Sequence, residues 1–189
     1  MKYKLHEITD SYAREQAQIS CALQNILKKN NIEIRSITPV SILFTPWPTG
    51  SLQIDQNMTG VLSWNPVSRT VTVTYHVALP TKTGSGEYSR VLRWYLLKRN
   101  EEHARFSRHL NAVFSYPGED GSELVLKGSR KTTAANIEGA VGLILIRLHD
   151  ILEKEAGFIT DILSGNPPAS VKQHLLSEIK ITRAELNDL

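Results

Sequence analysis

Gly84-Ser85-Gly86-Glu87-Tyr88-Ser89 is the stretch best placed for phosphate chemistry. It follows an expected strand and opens an expected helix, where backbone N–H groups gather around anions. A dinucleotide loop would carry glycine or alanine where Ser89 stands, and no Lys-Ser or Lys-Thr pair is present to cradle a nucleoside triphosphate. A flexible loop ahead of an acidic first helical turn accounts for the same residues. The six histidines (6, 76, 103, 109, 149 and 174) show no HExxH spacing. His149 and Glu153, four apart, share a helix face, but no third ligand accompanies them. They read as the polar flank of a core helix, and His103 and His109 as part of a solvated segment around Glu101 and Glu102. No GxSxG turn surrounds Ser85 to strain a nucleophile. Asp55, Glu119, Asp120 and Glu123 could supply paired acids, but Asp120-Gly121 is explained by turn chemistry. No catalytic residue, metal site or cofactor is therefore expected, and the chain reads as a non-enzyme.

The remaining candidate chemistry is electrostatic. Arg90, Arg93, Lys98, Arg99, Arg105 and Arg108 face only Glu87, Glu101 and Glu102 within 87–109, an excess equal to the whole chain's net charge of +3. Trp94, Tyr95 and Phe106 interleave with these cations. A nucleic-acid face built on Arg90, Arg93, Lys98 and Arg99 would use this combination. A solvated helix face with its aromatics turned inward explains it more simply.

Composition sets the frame for these groups. Of 189 residues, 41% are hydrophobic and 22% charged, the balance of a globular chain large enough for a real core. One cysteine, Cys21, excludes an internal disulfide and fits a reducing cytoplasm. Its neighbours Ala22 and Leu23 suggest a packed thiol. The N-terminal lysines precede no apolar run, so no secretory signal is expected, and no apolar run is long enough for a membrane span.

The elements follow from periodicity. Ile8, Tyr12, Ile19, Leu23, Ile26 and Leu27 form a helical stripe over residues 8–29. Thr9, Asp10 and Ser11 are candidate caps at its start, and Asn30-Asn31 a stop at its end. From 32 to 80 the pattern is that of strands. Ser41-Ile42-Leu43-Phe44 is halted by Pro46-Trp47-Pro48-Thr49-Gly50, with Ser51–Asp55 as its continuation after a kink. Val61–Trp64 and Thr70–Leu79 are joined by the hairpin loop Asn65–Arg69. Val71, Val73, Tyr75, Val77 and Leu79 alternate with Thr70, Thr72, Thr74, His76 and Ala78, so one sheet face is buried and the other polar. A second helix is expected over 87–100, with Val91, Leu92, Tyr95 and Leu96 available for burial. A hairpin follows from Leu110–Tyr116 through Pro117–Gly121 to Glu123–Lys127. A third helix covers about 133–163, with Gly139, Gly142 and Gly157 permitting close packing or a bend. These elements define an α+β domain over residues 1–163: an antiparallel sheet with helices packed on it, in the order α-βββ-α-ββ-α. Residues 164–168 form a linker. A C-terminal helix over 169–189, striped by Val171, Leu175, Ile179, Thr182 and Leu186, docks on the domain or on a partner.

This layout resembles the type III secretion chaperone-like superfamily over about residues 8–163. The resemblance rests on Leu96-Leu97-Lys98-Arg99-Asn100 at the end of the second helix, then Asn111–Tyr116, Asp120-Gly121 and Leu124-Val125-Leu126. The chain differs from usual members in being longer and basic and in carrying a helix after Pro168. The resemblance implies a bacterial, cytoplasmic, virulence-linked homodimer without catalytic activity. Such a protein holds a partner polypeptide, the N-terminal region of a secreted effector, in an extended state. On this chain the contact surface would comprise Ile8, Tyr12, Ile19 and Leu23 of the first helix. It would continue on Ile42, Phe44 and Trp47 of a candidate edge strand, where Pro46 and Pro48 cannot donate to a ladder. Each of these residues is read equally well as core.

Overall fold

The computed structural model describes residues 2–79, 113–115 and 123–166, together with Ala169 and Gln173. Helix α1 spans Lys2–Lys29. Strands β1 (Glu33–Ile37) and β2 (Ser41–Thr45) follow, then one helical turn, α2 (Leu52–Asp55). Next come β3 (Met58–Asn65) and β4 (Thr70–Ala78). β5 (Val113–Ser115) and β6 (Glu123–Lys131) lead through a 3-10 turn at Ala134–Asn136 into α3 (Ile137–Leu163). The six strands form one antiparallel sheet in the order β1-β2-β3-β4-β6-β5. The expected α+β class is present. The expected second helix, the Gly84 loop, the turn at 117–121 and all of the C-terminal helix but Ala169 and Gln173 lie outside the described residues.

α1 begins before the expected start. Thr9, Asp10 and Ser11 sit inside it rather than capping it. No glycine or proline occurs between Lys2 and Lys29 to stop the helix from extending backwards. Its end is where the two asparagines place it. Asn31 adopts the left-handed conformation (φ 54°), and the Ile32 and Asn31 N–H groups return to the carbonyls of Leu27 and Lys28. This is a Schellman stop, with asparagine in the position glycine usually fills. α3 stops the same way at Gly165 (φ 77°), whose N–H donates to Ile162 while that of Asn166 donates to Asp161. The first half of the expected linker is thus a helix terminator.

The core lies between one sheet face and the two long helices. α3 packs on β4, β6 and α1, and α1 packs on β1. β4 alternates as its sequence requires: Val71, Val73, Tyr75 and Val77 are fully buried and the intervening residues are not. Each such side chain contributes about 1.5–3 kcal/mol by leaving water. Two glycines shape this core. Phe44, Gly60, Tyr75 and Leu126 lie in register across four strands, and the Phe44 ring lies over Gly60 to meet Tyr75 edge-on at 6.0 Å. Gly128 admits Ile144 of α3 close to β6. Of the helical glycines, Gly139 and Gly157 do not act this way, since a Cβ there would meet nothing within 4 Å, while one at Gly142 would come to 4.0 Å from the Ile26 side chain of α1.

Three local expectations change. Ser51–Asp55 turns helically instead of continuing β2, because the Ser51 carbonyl accepts the N–H groups of both Ile54 and Asp55. β2 is interior, flanked by β1 and β3, so the edge strand is β1 and not the Ile42–Trp47 segment. Pro46 and Pro48 follow the last β2 residue and interrupt no ladder. Cys21 is exposed, since it lies off the helix face that buries Ile19, Leu23 and Leu27.

Candidate partner-binding edge

β1 forms one margin of the sheet. It pairs with β2 along one side and with no other strand among the described residues. The pairing slips between Ile34 and Ser36: Ile34 faces Phe44, and Ser36 faces Leu43. Such a bulge adds twist and, with Glu33 and Arg35, limits indiscriminate edge pairing. The Arg35 Nε–H donates to the Thr45 hydroxyl at 2.8 Å, which ties the strand to β2. The β1–β2 turn is self-contained. Thr38 Oγ1 accepts the Ser41 N–H at 3.0 Å, and the Thr38 N–H donates to the Ser41 carbonyl at 2.8 Å. Ile37 at the end of β1 is 50% exposed and Val40 in the turn 66% exposed.

Behind this turn lies a small cleft walled by α1 (Gln16, Ile19, Leu23), by Pro39 and Val40, and by Trp64. Its free space is about 10 Å³, close to what one water-sized group fills. Gln16 Nε2 and Trp64 Nε1 are buried there with no acceptor among the described residues. A buried N–H without a partner costs about 1–3 kcal/mol. An incoming carbonyl or hydroxyl oxygen would therefore be received favourably. β1 offers a margin for main-chain pairing, and the turn after it carries Val40, which also walls the cleft where the two donors lack acceptors among the described residues.

No family model matches this chain, and no curated protein matches it. Two solved structures share part of its backbone outline. YbjN from E. coli is 8% identical with a TM-score of 0.44, over 70% of this chain and 86% of YbjN. A chain of the ExsC–ExsE complex is 13% identical with a TM-score of 0.42, over 74% of this chain and 93% of the other.

The residues singled out by sequence divide sharply. Ile19, Leu23, Ile42 and Phe44 belong to the hydrophobic core. Tyr12 is 51% exposed on α1. Ile8 lies on α1, but its side chain is outside the described residues, as are Arg90, Arg93, Lys98 and Arg99. Trp47 is half-buried and fastens three elements: its Nε1–H donates to the Asn30 carbonyl at 2.9 Å, and its ring meets the His149 ring edge-on at 5.4 Å. His149 flanks the core helix as its sequence position suggests, while its Nδ1 has no partner among the described residues.

The candidate acids are engaged structurally. Asp55 accepts from the Thr49 N–H and hydroxyl and from the Gly50 N–H, at 2.7, 2.8 and 3.1 Å. Glu123 pairs with His76 across β4 and β6, 2.5 Å apart. Glu119 and Asp120 lie outside the described residues. Among the described residues no three His, Cys, Asp or Glu side chains come together as a metal site would need, and no helix is long and apolar enough to cross a membrane.

Sequence reasoning missed Ile37, Val40 and the β1 edge. The bulge conceals them: Ile34 and Ile37 are three apart, so the strand never displays a period of two.

Proposed function

We propose that this chain is a non-catalytic binding protein that receives an extended polypeptide segment along the margin of β1 that no other strand covers among the described residues. The observation that carries this is the edge itself, with Ile37 and Val40 open beside it and the unmet donors of Gln16 and Trp64 behind them. Adding a strand to an open sheet margin gives affinity through main-chain bonds, and flanking apolar contacts give selectivity. The finer form of the proposal is a cytoplasmic, secretion-chaperone-like homodimer whose client is the N-terminal region of a secreted effector. Tyr12 extends the contact surface onto α1.

Hydrogen exchange on the full chain tests this with a set of extended apolar peptides taken from secreted N-terminal regions. A binding peptide should slow exchange of the amides at 33–37, and Ile37→Arg combined with Val40→Asp should abolish that protection. Light scattering of the same samples reports the dimer. Unchanged exchange with every peptide, from a chain that stays monomeric at high concentration, refutes the proposal. A dimer dissolved by the double variant, with no peptide protection, assigns the edge to a second copy and removes the client.

A further inference from the structure

The β3–β4 turn, the end of β6 and the first turn of α3 meet around a cavity of about 870 Å³ that opens to solvent. Arg69, Arg130 and Lys131 line it, and among the described residues no aspartate or glutamate does. Strand register sets the end of β6 beside the turn that carries Arg69: Val71 faces Arg130 on the helix-covered side of the sheet, and Thr70 faces Lys131 on the other. A main-chain bond from the Thr132 N–H to the Arg69 carbonyl, 2.9 Å, closes the corner. Among the described residues none of the three cations forms an ion pair; Lys29 and His76 hold the pairs that are formed. Three like charges around a concave wall repel one another and focus a positive potential into the cavity.

Two further observations point to an anion. Arg69 occupies the left-handed region (φ 50°), where a side chain other than asparagine, aspartate or glycine is uncommon and costs on the order of 1 kcal/mol. The turn does not require arginine there, because Asn65 Oδ1 already organises it by accepting the Val67 and Ser68 N–H groups, each at 3.0 Å. The cavity also reaches the start of α3, where neither Thr133 nor Asn136 supplies a side-chain cap to the helical N–H groups. An anionic oxygen would serve that end of the helix and its dipole.

We infer that this cavity binds a small molecule carrying a phosphate monoester. The phosphate sits between Arg69 and Arg130 with Lys131 at the cavity's border, and the organic part lies against Ala140 and the exposed Leu143. A monoester carries about −1.5 to −2 charges and three acceptor oxygens at neutral pH, which answers three cations better than a carboxylate does. The space far exceeds a bare phosphate and falls within the roughly 300–1,000 Å³ typical of small-molecule sites. Towards α1 the positive surface ends, because the next depression, beyond Ala134, holds Asp10 and Glu15 around Arg14. A long nucleic-acid backbone would need the cations to continue.

Calorimetric titration of the full chain with adenosine monophosphate, adenosine and inorganic phosphate tests the assignment. The monophosphate should bind saturably, inorganic phosphate more weakly, and adenosine not measurably. Arg130→Gln and Arg69→Asn should each weaken the monophosphate about tenfold or more, since each removes a charge-assisted contact. Arg69→Asn should leave the melting temperature equal or higher, because asparagine accepts the left-handed backbone, so lost binding cannot be attributed to unfolding. Gly139→Leu, at a position with open space around it, should weaken the monophosphate and leave inorganic phosphate unchanged. No heat with the monophosphate at millimolar concentration, or equal affinity in wild type and Arg130→Gln, overturns the inference. So does a single-stranded oligonucleotide that binds where the monophosphate does not.

Discussion

The two ends of the sheet are built on different principles. At the end where β2 leaves and β3 begins, side chains tie separate elements together. Asp55 gathers the 49–50 backbone, Trp47 reaches the Asn30 carbonyl, and Ser51 shares a hydrogen bond with Thr160 of α3 at 2.7 Å. At the end carrying the β1–β2 and β3–β4 turns, the side-chain bonds stay within each turn, through Thr38 to Ser41 and through Asn65 to Val67 and Ser68, and main-chain bonds from Trp64 to Val40 and from Thr132 to Arg69 join the turns to their neighbours. There Ile37, Val40 and Val67 are exposed, and among the described residues two donors lack acceptors and three cations lack counter-charges. One end is tied down by bonds between elements; the other leaves its polar and apolar groups for something else to satisfy. On the proposed function, stability and binding are thus separable in this fold.

Asp55→Ala gives the sharpest contrast. It removes the acceptor for three donors at once and leaves the half-buried Thr49 N–H and hydroxyl unmet. A loss of about 2–3 kcal/mol is expected, read by urea denaturation with an unchanged slope. Partner retention by the folded fraction should be unaffected. A loss below about 0.5 kcal/mol would put the clamped end in the same class as an ordinary surface.

The clamped end was also the less legible in sequence. Leu52 and Ile54 alternate like a strand, and four residues are too few for a helical period to show against that alternation. β4 was readable because nine residues alternate without interruption, and the stop of α1 because Asn31 is among the few residues that accept a left-handed backbone. β1 was hidden by its bulge. Apolarity marks the candidate contact residues in the sequence but does not separate a binding surface from a core: Ile19, Leu23, Ile42 and Phe44 lie in the core. The cation cluster could not be read at all. Arg69 and Arg130 belong to different hairpins, and only the pairing of β4 with β6 makes them neighbours.

Tyr75 lies in the central row between the two ends and tests whether every unmet group is functional. It is fully buried, faces no cavity assigned above, and its hydroxyl has no partner among the described residues. Burial pushes its pKa above the ordinary phenol value. Tyr75→Phe should stabilise the protein by about 1 kcal/mol at neutral pH, because an unsatisfied polar group is removed. The sign with pH follows from the raised folded-state value. Below about pH 10 the hydroxyl is protonated in both states; above it the unfolded chain loses the proton and the folded chain keeps it. Stability of the wild type therefore falls by up to about 1.4 kcal/mol per pH unit from this group, and the advantage of Tyr75→Phe should widen from pH 9.5 to 11. A constant difference across that range would show that the oxygen meets water or a donor that accommodates the phenolate.

Val40→Ser carries the smallest expected effect on stability and decides most about the open end. The side chain is two-thirds exposed, so little apolar area returns to water on its removal. The turn survives because its bonds run between Thr38 and Ser41 and through the Val40 carbonyl, which the Trp64 N–H reaches at 3.4 Å whatever residue stands at 40. The denaturation midpoint should shift by less than about 0.5 kcal/mol. Peptide protection of the β1 amides should nevertheless fall, because the apolar lip beside the strand edge is gone. A midpoint shift as large as that of Asp55→Ala would mean that Val40 holds the fold together, and the division between a tied end and an open one would not stand. Full peptide protection in a stable Val40→Ser would leave the division intact and move the apolar contact to Ile37 alone.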